Sequence, residues 1–439
     1  MKKVLFILCA SLISMYIKGQ ETITITDCYE LARSNYPLIK QYELIDKLEQ
    51  YNLANAGKGW LPQFSVNARA TYQNDVTKLP FDNDWLSGII PGFSIPTLSK
   101  DQYQVAAELT QTVWDGGIIR SARKLTRAQA MAEREKTESE LYNLNERVNQ
   151  LYFGCLLQDA LINQNIILQK ELQTNMERII AMIDNGVANE SDKESLEVEL
   201  LNARQQEIEL KSGHKAYRRM LGVLIGKDIT ENTKLLPPSL LNGEYYSSFQ
   251  LSPSLGDWGM NRPELRALDA QRNLTDTQNK QITAGLMPRI GLFVQGGYGR
   301  PGLNMLEDSF EPFYIAGVRL SWNLGKLYTV KNDRRKIETN LNAIDVKKDI
   351  FLFNVKMQLV QQHTEIQKMN ELLKSDEEIV RLRTNIKKAA EVKLENGVIS
   401  VTDLIREINA EDLAKQSVAT HRIRQLMSIH NYMYTTNNK

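Results

Sequence analysis

The first half of the chain contains two stretches in which apolar and polar residues alternate. From Phe64 to Tyr72 every second side chain is apolar or aromatic, and the stretch from Tyr103 to Val113 largely repeats this pattern. Alternation with a period of two predicts strands that have one apolar face. A pair of half-apolar strands is therefore expected within residues 62–114.

The second half contains two comparable stretches, at 290–299 and 313–322. A loop rich in Gly, Pro, Asp and Ser separates the first pair at 79–101, and a shorter loop at 300–312 separates the second. Four strands of about ten residues, with aromatic residues near their ends, are typical of a transmembrane β-barrel. A small soluble sheet is the alternative interpretation.

After each strand pair the apolar spacing becomes helical. Leu141, Leu144, Val148 and Leu151 recur at intervals of three and four residues, which is typical of coiled-coil packing. The proline-free stretch 118–185 predicts a helix of roughly 100 Å at about 1.5 Å per residue, with a counterpart at 328–396. Return helices are predicted at 191–224 and 401–435, so each half contains a long antiparallel helical hairpin.

The chain is a tandem duplication, because the same motifs occur in both halves in the same order. They are Asn-x-Pro at 35–37 and 261–263, Leu-Pro or Met-Pro at 61–62 and 287–288, a tryptophan-led turn at 114–117 and 322–325, and Asn-Gly-Val at 185–187 and 396–398. Asp115 and Asn323 are expected to cap the helices that follow the tryptophan-led turns. Proline suits the start of a strand and glycine permits a tight turn, so the predicted helix–strand junction residues are Pro62, Pro288, Gly116, Gly117 and Gly325.

These patterns predict a sequence of segments along the chain. They are a signal peptide at 1–19, N-terminal helices at 20–61, strands at 62–114, a helical hairpin at 115–226 with its turn near 186–192, a linker at 227–260, helices of the second repeat at 261–287, strands at 288–322, and a second helical hairpin at 323–439 with its turn near 397–403. Lys2 and Lys3, an apolar run at 4–17 and the small Gly19 are typical of a secretory signal, so the mature chain is expected to be exported.

Composition narrows the choice of partners. A net charge of +1 with 24% charged residues indicates neither a nucleic-acid partner nor a polybasic membrane patch. No stretch after the signal has the roughly 18 to 20 apolar residues of a membrane helix, so any membrane contact would be made by strands. Cys28 and Cys155 are predicted to be buried thiols rather than a disulfide, since nothing in the sequence brings them together.

Other classes of protein explain the sequence less well. The chain has no glycine-rich phosphate loop, and its four histidines show no metal-ligand spacing, so neither an enzyme nor a metal or cofactor site is expected. A soluble periplasmic coiled-coil or adaptor protein would explain the helices but not the four strands. A passive porin would explain the strands but not the helices.

Four strands cannot close a barrel, and open strand edges cannot remain in lipid. The chain is therefore expected to oligomerise. Two copies would give eight strands, whose interior side chains fill, whereas three copies would give twelve strands and leave room for a pore.

An acid follows each turn glycine by six residues, at Asp192 and Asp403. With the duplicated motifs, these acids make the mature chain similar to the TolC family of outer membrane efflux proteins. The resemblance implies an α+β membrane protein, a homotrimer in which each chain supplies long antiparallel helical hairpins and four transmembrane strands to a twelve-stranded β-barrel. It implies a location in the outer membrane, in contact with its lipid, with a periplasmic helical tunnel and an equatorial belt near 227–260. It also implies two partners, a periplasmic adaptor (membrane fusion) protein and an inner membrane transporter of the RND or ABC type.

The resemblance assigns the helical turns to the periplasmic entrance. Adaptor contact is expected at the residues Asn185, Gly186, Val187, Asn396, Gly397 and Val398. Asp403 takes the position of an acid ring that makes some family entrances cation-selective, although a helix cap explains it equally well. Asp192 is expected to be a cap alone.

The chain departs from the family pattern at two positions of the second turn. Arg406 stands where a second ring acid is expected, and Ile399 stands where a basic residue latches the closed state. Weaker cation selectivity and other closing contacts are expected in consequence. The expected cargo is small amphiphilic molecules, with metal-ion efflux and type I protein secretion as alternatives.

Overall fold

The computed structural model describes residues 22–77, 98–230, 233–238 and 262–437. The predicted signal peptide, nearly all of the 79–101 loop and most of the 227–260 linker lie outside these residues. The chain divides into two compact units. The helical unit comprises Met1–Tyr42, Glu135–Arg266 and Lys347–Lys439, and the strand unit comprises Glu43–Arg134 and Ala267–Val346.

Helices and strands alternate along the described residues in the order that the repeats predict. They are β1 (Thr22–Ile23), α1 (Ile25–Asn35), α2 (Gln41–Gly57), β2 (Gln63–Tyr72), β3 (Asp101–Trp114), α3 (Ile118–Tyr142), α4 (Leu144–Asp184), α5 (Glu190–Ile225), β4 (Lys234–Leu235), α6 (Pro263–Gly285), β5 (Arg289–Arg300), β6 (Glu311–Ser321), α7 (Leu327–Glu395) and α8 (Val401–Thr436).

The strand unit contains a four-stranded antiparallel sheet with the order β2-β3-β5-β6. Each repeat supplies one hairpin, and the two hairpins meet where β3 pairs with β5. The four predicted strands are therefore present, with ends that differ by one or two residues from those predicted.

One face of this sheet, which we call the apolar face, exposes large apolar side chains. The register places Phe64 opposite Leu109 and Leu109 opposite Val294, so apolar positions of neighbouring strands fall on the same face. The exposed members on this face are Phe64, Val66, Tyr72, Tyr103, Val105, Leu109, Leu292, Val294, Tyr298, Tyr314, Val318 and Leu320. The predicted alternation is confirmed in β2 and in β3 up to its bulge, whereas β5 and β6 also place Phe293 and Phe313 on the opposite face.

A bulge in β3 changes the alternation at one end of the sheet. The register shifts between Thr112 and Trp114, so that Val113 is an extra residue and Trp114 lies opposite Ile290. Without the bulge Trp114 would fall on the opposite face, since side chains alternate strictly along a regular strand. The shift instead puts an exposed indole at the end of the apolar face.

The long helices follow the predicted hairpins closely. The 118–185 helix is present as α3 and α4, which are separated only by Asn143, and Asn143 keeps helical backbone angles. Its counterpart α7 is continuous over 69 residues. The return helices α5 and α8 each have 36 residues.

The core of the helical unit explains the two cysteines. Cys28 of α1 and Cys155 of α4 are fully buried in one apolar cluster with Tyr152, Phe153 and Leu221. The prediction of buried free thiols is confirmed. Its premise was wrong, because packing of α1 against α4 places both cysteines in the same cluster, and burial raises the pKa of each thiol to about 12.

Candidate functional site

The turn between α4 and α5 is shaped by three consecutive residues. The Asn185 side chain donates to the Ala181 carbonyl at 2.7 Å, Gly186 has a φ of +74°, and the Val187 amide bonds to the Met182 carbonyl at 2.8 Å. A residue with a side chain is strained at such a φ, which explains the glycine. Val187 is left 60% exposed at the tip.

The turn between α7 and α8 repeats this arrangement. The Asn396 side chain donates to the Val392 carbonyl at 2.8 Å, and Gly397 has a φ of +69°. Val398 is 69% exposed. The left-handed glycine predicted at the end of each long helix is therefore confirmed, and each turn presents one exposed valine.

The acid after each turn closes a capping box on the return helix. Asp192 accepts from the Asn189 amide at 3.1 Å, while the Asp192 amide donates to the Asn189 side chain at 3.0 Å. Asp403 accepts from the Ser400 amide at 3.2 Å and from its hydroxyl at 2.7 Å. Both acids thus satisfy amides that the first helical turn would leave unpaired.

Asp403 differs from Asp192 in having a cation beside it. Arg406 Nη1 lies 3.4 Å from Asp403 Oδ1, one helical turn further along α8. The hydrogen bonds from Ser400, with a smaller contribution from Arg406, lower the pKa of Asp403. An exposed carboxylate held ionised in this way remains available to solvent, because 43% of its side chain is exposed.

A groove with a volume of about 320 Å³ lies beside the first turn. Its apolar lining comes from Ile179 and Met182 of α4 and from Leu394 and Leu404 of the second hairpin, and the exposed Val187 also borders it. The two helical hairpins therefore form a shared apolar surface at their tips.

The helical unit also contains a buried ionic network that was not among the predicted features. Glu411 of α8 is 1% exposed and pairs with Lys387 of α7 at 2.7 Å and with Lys415 at 3.0 Å. Lys387 also pairs with Glu171 of α4. Burial alone would raise the pKa of Glu411, but the bonds from Lys387, Thr384 and Lys415 outweigh it and lower this pKa to about 2.

The sequence does contain one signal of this network. Leu404 and Ile408 mark the buried seam of α8, and the next seam position is the acid Glu411. A charge at a seam position requires a partner from a neighbouring helix, because an isolated buried charge is very unfavourable. The identity of that partner depends on the packing of three helices.

The polar face of the sheet carries charges and aromatic rings together. Arg319 Nη1 lies 2.9 Å from Glu108 Oε1, and its guanidinium carbon is 4.5 Å from the centre of the Phe293 ring. Phe293 packs over Gly317, and Phe313 packs over Gly297, where a Cβ would lie 2.5 Å from the ring. A cavity of about 360 Å³ at one end of this face is lined by Phe293, Arg319 and Arg289.

The first helix–strand junction has the predicted form. Asp115 accepts from the Gly117 amide at 2.8 Å and from the Ile119 amide at 2.6 Å, and thereby caps α3. Gly116 and Gly117 have φ values of +69° and +86°. A Cβ on Gly116 would lie 2.5 Å from the Met287 Cβ, so this glycine is also required by close packing.

The second junction differs, and the expected cap there was wrong. Within the described residues the Asn323 side chain makes no capping bond, and a 3-10 turn at Leu324–Lys326 leads into α7 instead. Gly325 lies in that turn and is not among the glycines with positive φ. Pro62 and Pro288 each directly precede a strand, as predicted.

Comparisons with known proteins show which family sequence and which solved structures this chain resembles. Residues 28–227 match the model of the outer membrane efflux protein family. The outer-membrane channel OprN shares 15% identity with a TM-score of 0.65, covering 94% of this chain and 90% of that one. The outer membrane protein VceC from Vibrio cholerae shares 13% with a TM-score of 0.64, covering 94% and 95%. The open-state MtrE outer membrane channel of Neisseria gonorrhoeae shares 12% with a TM-score of 0.63, covering 94% and 88%.

Comparison with curated protein sequences finds no match. In the part of the chain that the structure describes, no helix combines the length and hydrophobicity needed to cross a membrane.

The fold is that of an outer membrane channel. The predicted resemblance to the outer membrane efflux proteins is confirmed, by family sequence over residues 28–227 and by fold over 94% of the chain. The matching family model describes outer membrane efflux proteins, and the similar solved structures are outer membrane channels.

Lys387→Met is expected to lower the free energy of unfolding by about 1 to 3 kcal/mol, because it removes the cation that joins Glu171 to the buried Glu411 and leaves Glu411 with Lys415 as its cation. Lys388→Met removes the exposed neighbouring cation and should change stability by less than about 0.5 kcal/mol. Urea unfolding followed by circular dichroism measures both, and equal stability of the two variants would contradict the network.

The network also has an expected pH dependence. The folded pKa of Glu411 is about 2, below its ordinary value of 4.5, so its ionised form stabilises the folded state above about pH 4.5 and this contribution is lost as the pH falls towards 2. Glu411→Gln should therefore be less stable than wild type at pH 7, and the difference should disappear near pH 2. An equal difference at both pH values would exclude this interpretation.

Proposed function

We propose that three copies of this chain form the outer membrane channel of a tripartite export system. The observation that carries this proposal is the four-stranded sheet with an exposed apolar face and two open edges. Among the described strands, β2 and β6 each pair on one side only. Unpaired amide and carbonyl groups are not tolerated in lipid, so the edges of one copy must pair with those of the next.

Three copies fit the polar face better than two. An eight-stranded barrel has an interior that side chains just fill, whereas twelve strands leave a passage. The polar face carries two phenylalanine rings and the long Arg319 side chain, which need room inside a closed barrel. A homotrimeric, twelve-stranded barrel is the assembly that these side chains support.

The same polar face supports small amphiphilic molecules as the cargo. Phe293 offers an apolar surface directly beside the charges of Arg319 and Glu108. A molecule with apolar and polar parts can pass such a wall without losing all contact with either type of group. The wall carries charges of both signs, so it does not favour one ionic class strongly.

The two turns are the proposed contact with a periplasmic adaptor. Val187 and Val398 are exposed apolar side chains at otherwise polar tips, and the groove beside the first turn continues this apolar surface. Contacts of this kind bury apolar area at the centre of an interface and leave charges at the rim. An inner membrane transporter of the RND or ABC type would then supply the energy through that adaptor.

At the entrance, the proposed trimer would bring three copies of Asp403 together. Each carboxylate would favour cations through focusing of its field in a narrow opening. Arg406 lies 3.4 Å from each Asp403 and offsets part of that field. The entrance is therefore proposed to be weakly cation-selective, with Asp192 serving only as a cap.

The first test of the assembly is the protein mass of the detergent-extracted complex, measured by light scattering with correction for bound detergent. We expect the mass of three chains. The mass of two chains would exclude the twelve-stranded barrel, and extraction of a monomer without detergent would exclude the membrane channel itself.

Val398→Asp is expected to reduce export of ethidium from cells by about tenfold, because a charge at the tip must be desolvated against the adaptor at a cost of about 1.4 kcal/mol. The control is Val198→Asp, which changes a 55% exposed valine on the side of α5. Light scattering should show an intact trimer for both variants. Equal export by the two would place the adaptor elsewhere.

Asp403→Asn is expected to move the reversal potential of the channel under a salt gradient towards zero in planar bilayers. Asp192→Asn is its matched control, because it weakens an equivalent capping box, at about 1 kcal/mol, without altering the proposed ring. An identical reversal potential in the two variants would remove the ring hypothesis.

A further inference from the structure

The first turns of α3 carry a concentrated positive charge in a chain that is almost neutral. Arg120, Arg123, Lys124 and Arg127 lie in residues 118–132, which contain no acidic residue. At about 100° per residue these four side chains fall within one arc of roughly 100° around the helix. We call this the basic arc, and its four members are exposed.

The opposite side of α3 faces the polar face of the sheet. Ile118 and Ile119 line the cavity that also contains Phe293 and Arg319, both of which lie on that face. The centre of the basic arc lies about 170° around the helix from Ile118 and about 90° from Ile119. The basic arc therefore lies on the exposed side of α3, away from Ile118 and the polar-face cavity.

A second cavity, of about 360 Å³, opens on the side of the basic arc. Arg120 and Lys124 line it together with the backbone of Gly116 and Gly117 and with Lys280 of α6. Lys280 already pairs with Asp276 at 2.7 Å, whereas the structure records no ion pair for Arg120 or Lys124 within the described residues. Asp115 already accepts hydrogen bonds from the amides at the start of α3, so these amides are not free to bind an anion. The positive charge of this cavity therefore comes from the side chains of its lysines and arginine.

The second repeat preserves part of the same charge pattern. At the offset of 208 residues that relates Trp114 to Trp322, Lys331 and Arg335 correspond to Arg123 and Arg127. Residues 323–336 contain five basic residues and one acid. Positive charge directly after the strand pair is thus a feature of both halves.

We propose that the basic arc binds the phosphate groups of anionic phospholipids in the periplasmic leaflet of the outer membrane. The proposal rests on the proposed function, since it requires the apolar face of the sheet to lie in lipid. Headgroup layers extend roughly 5 to 8 Å beyond the hydrocarbon on each side. Arg120 and Lys124 follow Gly117 by about 4.5 and 10 Å along the helix, within reach of that layer for side chains that extend towards phosphate.

Neighbouring residues support this position in the bilayer. The bulge in β3 places the exposed Trp114 at the end of the apolar face, four residues before α3 begins at Ile118. Indole rings are enriched at the boundary between hydrocarbon and headgroups. The cations of the basic arc therefore come shortly after Trp114 in the sequence, on the headgroup side of the boundary that an indole ring favours.

The test compares lipid binding by the full-length protein in detergent, using native mass spectrometry with phosphatidylglycerol or phosphatidylcholine of identical acyl chains. Wild type should prefer phosphatidylglycerol. Arg120→Gln with Lys124→Gln should weaken phosphatidylglycerol binding by about 25-fold, at about fivefold per cation, and leave phosphatidylcholine binding unchanged. The matched control is Lys215→Gln with Arg219→Gln, an exposed pair at the same spacing on α5 that removes the same charge.

Three results would overturn the proposal. They are the absence of a preference in wild type, equal loss in the two double variants, and displacement of the lipid by inorganic phosphate at the same phosphate concentration. Extraction of wild type from membranes without detergent would signal a different failure, that of the outer membrane channel itself. If wild type shows no preference for phosphatidylglycerol but still requires detergent for extraction, only the proposed lipid binding by the basic arc is rejected.

Discussion

A peptide group inside a bilayer has no water with which to form a hydrogen bond, and this constraint governs the strand unit. β3 and β5 are paired on both sides, but among the described strands β2 and β6 have one open edge each. One copy of the chain is therefore incomplete wherever its apolar face meets lipid. The proposed passage and entrance ring require further copies, whereas the proposed adaptor surface is already present at the tips of the two hairpins of one chain.

The repeated motifs show which structural features can be predicted from short segments of the sequence. Each helical turn is determined by residues within twelve consecutive positions: an asparagine bonded to a carbonyl four residues earlier, a left-handed glycine and a capping box. Alternation along the strands is equally local, and it correctly identified the apolar face. These features were predictable because each depends on one segment and its own backbone.

Features that depend on two or more segments were not predictable in this way. Phe293 and Phe313 lie on the polar face because Gly317 and Gly297, on neighbouring strands, make room for their rings. The buried network of Glu411 needs three helices, and the shared cluster of Cys28 and Cys155 needs the packing of α1 against α4. The second junction shows the same limit, since Asn323 has the right chemistry for a cap but a 3-10 turn separates it from α7.

Total charge was similarly uninformative about local charge. A sum of +1 gave no sign of a basic surface, because acids elsewhere in the chain balance the cations of α3. The position of charge relative to the strands carries information that composition lacks. The basic arc became visible only when helical geometry placed its four members on one side.

The two residues at the proposed entrance have unequal structural roles. Asp403 serves the start of α8 through Ser400, so replacing it disturbs a helix as well as a charge. Arg406 is an exposed side chain whose recorded ion pair is with Asp403. If the proposed entrance ring forms, substitution at position 406 would change its charge without removing the capping box that Asp403 provides.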